Sequence, residues 1–349
     1  MALQDHHAVL LAINLYPGLR DLGGPENDIK AFADWLRDPG GGNVEPKNIK
    51  VVKSSDFPLA TNPNEANPQE RAFINCLDQL VRDPARNWLN RVGTRLYLYM
   101  AGHGFTSGSL EDPALFSAAA QNGDTAHIAG LRYANKIVKA GFFDEVVLVM
   151  DCCQDVLKAS QVVEPTWTPP DRNKDAQVKF MQAYGAPRGQ AAFEREETPG
   201  GPKRGFFSTV LIEALRSAKP NPASGFVTGT TLKEQFQQLW NDSYKAQTNY
   251  IPPITPPKGV DIDLFARAAA PAAAPVNGAS VSFTVNAPIP AGATVDVTRG
   301  ANTAAVISMP VAALQPQTLP PGLYKATLST TTRSMLFEVT GVQATTVTL

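Results

Sequence analysis

The chain has 349 residues, 43% of them apolar, with 31 basic side chains against 32 acidic ones and a net charge of −1. That apolar fraction excludes wholesale disorder, and the balanced charge excludes a bulk electrostatic pull toward nucleic acid or a membrane surface. The length suits one α/β domain of moderate size with a smaller domain beside it.

The N-terminus carries no basic leader region, and Ala8–Leu15 (AVLLAINL) reads as a first, nearly continuous apolar strand. His6 and His7 at its start have no companions at metal-ligand spacing and read as surface histidines. Asn27-Asp28 forms an N-cap before IKAFADWL, in which Ile29, Phe32, Ala33 and Leu36 fall on one stripe. Ile49–Val52 is a second strand. Pro68 opens a helix, PQERAFINCLDQLV, with Phe73, Cys76, Leu77, Leu80 and Val81 at helical spacing. Arg95–Met100 and Glu145–Met150 are further apolar strands, and a helix over Leu131–Ala140 lies between them. Short runs apolar on both faces suit central strands of a mostly parallel sheet covered by helices on each side. His127 reads as solvent-facing, and Val162–Lys174, rich in Pro and charge, as a surface loop. A strand over Gln177–Tyr184 and helices over Phe207–Ala218 and Thr231–Ala246 complete this part.

Composition then changes. Ala266–Pro275 (ARAAAPAAAP) has the character of a linker, placing one domain at 1–265, a linker at 266–279 and a second domain at 280–349. The last segment alternates Val and Thr in six short runs separated by Pro/Gly turns, which predicts a small Ig-like β-sandwich. No stretch reaches the roughly 18 apolar residues of a membrane span. Three cysteines without framework spacing predict free thiols in a reducing, cytoplasmic compartment.

Two features carry chemistry. In Tyr99-Met-Ala-Gly-His103-Gly104 a histidine follows a buried strand between two glycines, where ligands bind at the carboxyl ends of α/β sheets. Read alone, it is as well explained by a tight turn. In Met150-Asp-Cys-Cys153-Gln-Asp155 the second cysteine lies where another buried strand gives way to loop, while Cys152 continues the strand. A thiol and an imidazole at the ends of neighbouring strands can meet across one cleft, the thiolate as nucleophile and the ring handling protons.

Over roughly residues 6–245 the chain resembles the caspase/metacaspase superfamily, nearer to its prokaryotic members. Five segments resemble family motifs in order: VLLAINLYPGLRDLGGPENDIKAFADWL with Gly24–Asp28, then YMAGHG, VVLVMDCC, AYGAPRGQAAFE and RGFFSTVLIEAL. His103 precedes Cys153 by 50 residues, as in caspase-type enzymes. Ala101 stands where the family has serine, and Gln154-Asp155-Val156 where His-Ser-Gly often follows the nucleophile.

The resemblance implies a caspase-like α/β fold and a cysteine endopeptidase acting on protein or peptide. It implies His103 and Cys153 as the catalytic dyad and the N–H groups of Gly104 and Cys153 as oxyanion donors. It also implies Asp28 and Asp151 as the S1 carboxylates that bind a basic P1 side chain. The pocket arginine of animal caspases falls at Leu22. Asp28 also suits a plain helix-capping role, and Asp151 a plain strand end. Some metacaspases are calcium-activated. The acids Asp171, Asp175, Glu194, Glu196 and Glu197 match no Ca²⁺ loop and read as a solvated face, so no metal ligand is assigned. A second reading is a caspase-like pseudoenzyme, a scaffold binding a protein partner through its β domain. The intact Cys/His pair argues against it. A third places the peptidase in a bacterial defence or regulated-death pathway, with the β domain recognising a target or activator.

Overall fold

Strands apolar on both faces are stable only inside a sheet covered on both sides, and the first part of the chain is built around one. The computed structural model describes residues 5–108, 112–158, 160–196, 200–266, 279–286, 292–299, 305–320, 322–330, 333–339 and 345–349. The chain divides into two compact units, one of residues 1–240 and 247–267, the other of residues 268–349 with 241–246. The linker expected at 266–279 lies, but for its two end residues, outside the described residues.

The first unit runs β1 (His6–Ala12), α1 (Pro25–Arg37), β2 (Ile49–Lys53), α2 (Glu70–Val81), β3 (Gly93–Ala101), β4 (Gly104–Ser107), β5 (Pro113–Phe116) and β6 (His127–Ile128). It continues with α3 (Gly130–Ala140), β7 (Phe143–Asp151), β8 (Asp155–Leu157), β9 (Lys179–Tyr184), β10 (Glu194–Glu196), β11 (Lys203–Gly205) and α4 (Phe206–Ser217). β12 (Phe226–Thr228), α5 (Gly229–Ser243), α6 (Lys245–Thr248), β13 (Ile254–Thr255) and β14 (Asp263–Ala266) follow, the 241–246 part of α5 and α6 being grouped with the second unit. Six strands form the central sheet in the order β13-β9-β7-β3-β1-β2. All neighbours are parallel except β13, which runs antiparallel along β9.

Side chains alternate across this sheet, and the alternation decides what reaches the site. On β3 and β7, Leu96, Leu98, Met100, Val146, Leu148 and Met150 pack with Phe73 and Leu77 of α2 and Tyr133 and Ile137 of α3. The intervening Tyr97, Val147 and Val149 face Phe32 and Trp35 of α1 and Leu211 and Leu215 of α4. Each such fully buried side chain stabilises by about 1.5–3 kcal/mol. At the amino end of β3, Arg95 is buried with Glu145 and also donates to the carbonyl of Leu264 at 2.6 Å and to that of Asp263.

Several expectations are corrected. α1 begins at Pro25 with Gly24 as its N-cap, so Asn27 and Asp28 sit in its first turn rather than before it. Proline has no N–H to satisfy at N1 and starts the helix earlier. His6 is buried, not at the surface, with its ring edge-on to Tyr97 and no partner for Nδ1 among the described residues. Burial and the Arg95 charge push its pKa down to about 4. His127 is half-buried, tied by Nδ1 to the Thr125 carbonyl at 2.6 Å and accepting the Val163 N–H at Nε2. Within the loop 162–174, Trp167 is core and donates to Asp78 at 2.9 Å. The last predicted helix is shorter and followed by the separate turn α6.

The second unit contains β15 (Ala279–Thr284), β16 (Thr294–Arg299), β17 (Ile307–Pro310), β18 (Gln317–Leu319), β19 (Gly322–Leu328), β20 (Ser334–Val339) and β21 (Thr345–Thr348). They form two sheets, β18-β15-β21 and β17-β16-β19-β20, around a core that includes Val281, Phe283, Val295, Val297, Tyr324, Phe337 and Val347. This is a β-sandwich of seven described strands rather than six. The added one, Gln317–Leu319, is too short to show an alternating pattern in sequence.

Candidate active site

β3 and β7 end level with each other, Ala101 opposite Asp151, and the next residues of both leave the sheet at one cleft. Gly102 has φ +156° and no room for a Cβ, which would meet the Tyr16 hydroxyl at 2.4 Å. Glycine is therefore required for the chain to turn out at His103. Tyr16 accepts the His103 N–H at 3.0 Å, donates to the Phe116 carbonyl at 3.4 Å, and lays its ring 4.9 Å from the imidazole. His103 Nε2 lies 2.7 Å from the carbonyl oxygen of Arg20. A carbonyl only accepts, so Nε2 carries the proton and Nδ1 of the neutral ring keeps its lone pair.

Gly104 opens β4. A Cβ there would meet Cys152 Sγ at 2.7 Å and the Ala114 carbonyl at 2.8 Å, so a side chain is excluded. Gly104 pairs with Leu115, and the Phe116 N–H donates to the His103 carbonyl at 2.9 Å. That pattern makes 104–115 a non-hydrogen-bonded pair, so the Gly104 N–H is not used in pairing with β5.

Cys152 and Cys153 part company by strand parity. Cys152 continues the face of Met150 into the core under α2 and α3. Cys153 turns into the cleft, where its Sγ accepts the Ala192 N–H at 3.3 Å and lies 3.7 Å from the Ala192 carbonyl. Burial, together with Asp155 and Asp151, raises the Cys153 thiol to about 11, against the pull of the Ala192 N–H. The resting side chain is a thiol, and it needs a base to become a nucleophile.

His103 and Cys153 line one cleft of about 170 Å³ with Leu22, Asp28, Asp151, Phe193 and Glu194. Its three carboxylates are gripped by two helix amino ends, where N–H groups are unsatisfied and the dipole is positive. Gly23 and Gly24, at the start of α1, donate to Glu194 Oε2 at 3.1 and 2.8 Å. Gly205, the N-cap of α4, donates to Asp28 Oδ2 at 2.9 Å, and Arg204 Nε to Asp28 Oδ1 at 2.8 Å. Ser208, in the first turn of α4, donates its hydroxyl to Asp151 Oδ2. A Cβ at Gly205 would stand 2.4 Å from that same oxygen. Burial pushes up both Asp28 and Asp151, and the Asp151 charge raises Asp28 further against the pull of Arg204 and the Gly205 N–H. The pair thus holds a proton to higher pH than isolated carboxylates do.

Of the five residues singled out in the sequence, His103, Asp28, Asp151 and Cys153 line this cleft, while Gly104 follows His103 at the start of β4 and is not among the lining residues. Sequence reasoning missed Tyr16, the Arg20 carbonyl, Arg204 and Ser208. It also placed Glu194 on a charged surface. Its one available signal was position: Glu194 is the acid ending AYGAPRGQAAFE, the segment resembling a pocket wall. Among the described residues no group of three His, Cys, Asp or Glu side chains could hold a metal. Asp171 faces Lys139, and Glu197 lies outside the described residues. Among them, too, no helix is long and apolar enough to cross a membrane.

A thiol and an imidazole thus lie just beyond the carboxyl ends of adjacent parallel strands of an α/β sheet, with acids lining the space beside them. The family model for the caspase domain matches residues 5–248, and the chain belongs to the caspase family. Residues 249–349 lie outside that match. The crystal structure of caspase-1 from Spodoptera frugiperda is similar at 16% identity and a TM-score of 0.46, over 77% of this chain and 93% of that one. No curated protein matches the chain.

Proposed function

We propose that the protein is a cysteine endopeptidase that uses His103 and Cys153 and cleaves after basic residues, Arg in preference to Lys. The observation that carries this reading is the shared cleft: a proton-accepting Nδ1, a half-buried thiol and a set of carboxylates open into one space. His103 Nδ1 takes the Cys153 proton as Sγ attacks the peptide carbonyl. The N–H groups of Gly104 and Cys153 receive the oxyanion. The imidazolium protonates the leaving amine to give a thioester, then activates the water that hydrolyses it. Acids at the cleft attract a basic side chain, and a guanidinium offers two parallel donors to a carboxylate where an ammonium offers a point charge.

Among the described residues none that lines the cleft belongs to the second unit, and we assign that unit to recruiting a protein target or activator. A bacterial defence or regulated-death pathway would suit such an arrangement. Free Cys76, Cys152 and Cys153 fit a reducing, cytoplasmic setting. The test is a fluorogenic peptide panel with Arg, Lys or Asp at P1, with Ca²⁺ and with a chelator. Arg over Asp by at least about 100-fold is expected, since an acid buried beside acids is unpaired. Equal turnover of Asp peptides overturns the specificity. Absence of turnover together with failure of an electrophilic probe to label Cys153 overturns the enzyme and leaves the scaffold.

A further inference from the structure

The three carboxylates of the cleft differ in how their charge is met. Asp28 is ion-paired with Arg204, and both its oxygens already hold a donor. Glu194 takes two backbone N–H groups and has Lys203 3.7 Å away. Asp151 has no ion-pair partner among the described residues, and its side-chain donor is the neutral hydroxyl of Ser208. Arg20 stands at the rim with its side chain exposed. Of the three, Asp151 is the carboxylate without an ion pair among the described residues, the Arg204 charge acting on it only through space.

Ser208 Oγ has one proton and gives it to Asp151, so the short contact between Ser208 Oγ and the Tyr99 hydroxyl is a bond that Tyr99 donates. A directed chain therefore runs Tyr99 to Ser208 to Asp151, all three buried, and each donor polarises the next. Parity places it: Tyr99 and Asp151 project from neighbouring strands to the α4 face of the sheet, where Ser208 meets both. The Ser208 backbone N–H also serves Asp151. Phenylalanine at 99 would fill the same space without this bond.

We propose that Tyr99 and Ser208 are positioning residues for substrate recognition: their hydroxyl chain holds Asp151 as the carboxylate that reads a basic side chain, while Asp28 is committed to Arg204. This rests on the basic-P1 reading above, so its test has one arm that needs no catalysis. Benzamidine, a small amidinium, is titrated against the full-length protein and its Tyr99→Phe, Ser208→Ala, Ser208→Thr, Asp151→Asn and Asp28→Asn variants. In parallel, KM and kcat are measured on an Arg-P1 peptide, and Cys153 alkylation by iodoacetamide is timed. Tyr99→Phe and Ser208→Ala weaken benzamidine binding and raise KM by about tenfold, the worth of a hydrogen bond to a charged group. kcat and the alkylation rate stay within about threefold, and Ser208→Thr restores the affinity. Asp151→Asn weakens binding more than Asp28→Asn does. Unchanged affinity in both hydroxyl variants, or a larger loss from Asp28→Asn than from Asp151→Asn, overturns the proposal. Benzamidine binding with this order of losses but no peptide turnover upholds it while the peptidase reading falls.

Discussion

At the scale of single residues, the cleft separates two neighbouring thiols by one step of strand parity. Cys153→Ala and His103→Ala are each expected to abolish hydrolysis of an Arg-P1 peptide. Cys152→Ala costs about 1 kcal/mol of stability, the loss of one small buried group, and retains turnover. Rates and melting temperatures of the three variants check this, and the reverse order would put the nucleophile at Cys152. Because the Cys153 thiol is pushed up to about 11, its alkylation in the His103→Ala protein should be slow at neutral pH and climb toward that value. A plateau near pH 7 in that variant would mean that something other than His103 supplies the base. The carboxyl pair gives a pH signature with two opposed signs. Asp28 and Asp151 have pKa values raised by burial, above the ordinary carboxylate range of about 4. Folding therefore favours their protonated forms, and stability falls as pH rises from that range through neutrality. Affinity for a basic P1 side chain rises over the same window as the pair ionises. Measured KM should thus decrease with pH while the melting temperature also decreases, and Asp28→Asn should flatten the stability trend.

At the scale of elements, the amino ends of α1 and α4 supply donors to all three acids of the cleft. Gly205→Ala tests how closely they must approach. A Cβ 2.4 Å from Asp151 Oδ2 forces the helix start away, at about 1–3 kcal/mol of stability. KM for an Arg-P1 peptide should rise with kcat little changed. A Gly205→Ala protein with unaltered melting temperature and KM would show that α4 gives way without disturbing the pocket. The strands that position this site were legible because a buried parallel strand is a run of apolar residues, and the run alone locates its end. The placement of His103 and Cys153 just beyond two such ends was legible for the same reason. What was not legible depends on contacts distant in sequence. Arg204 meets Asp28, Glu194 meets Gly23 and Gly24, and Ser208 meets Asp151, each across more than 50 residues. His6 was misplaced for the same reason: its ring lies against Tyr97 and near the Arg95 charge, both about 90 residues on.

At the scale of the whole molecule, the first unit closes at β14, which pairs antiparallel with β12 and offers two carbonyls to Arg95. We propose accordingly that a chain ending at Ala266 folds and cleaves small peptides, losing efficiency only on a native substrate. A chain ending at Lys258 lacks β14, leaves Arg95 and Trp35 without Leu264 and Phe265 against them, and should lose at least about 3 kcal/mol of stability. Denaturant melts and peptide assays of the two chains separate these outcomes, and equal stability would place the boundary before β14. Arg95 also sits six residues upstream of the Ala101 end of β3, about 20 Å from the cleft at the 3.3 Å rise of a strand. β14 is therefore tied down at the amino ends of β3 and β7, the opposite end of the same strands from His103 and Cys153, so a load on the backbone just after Ala266 would meet the Arg95–Glu145 pair before it met the cleft.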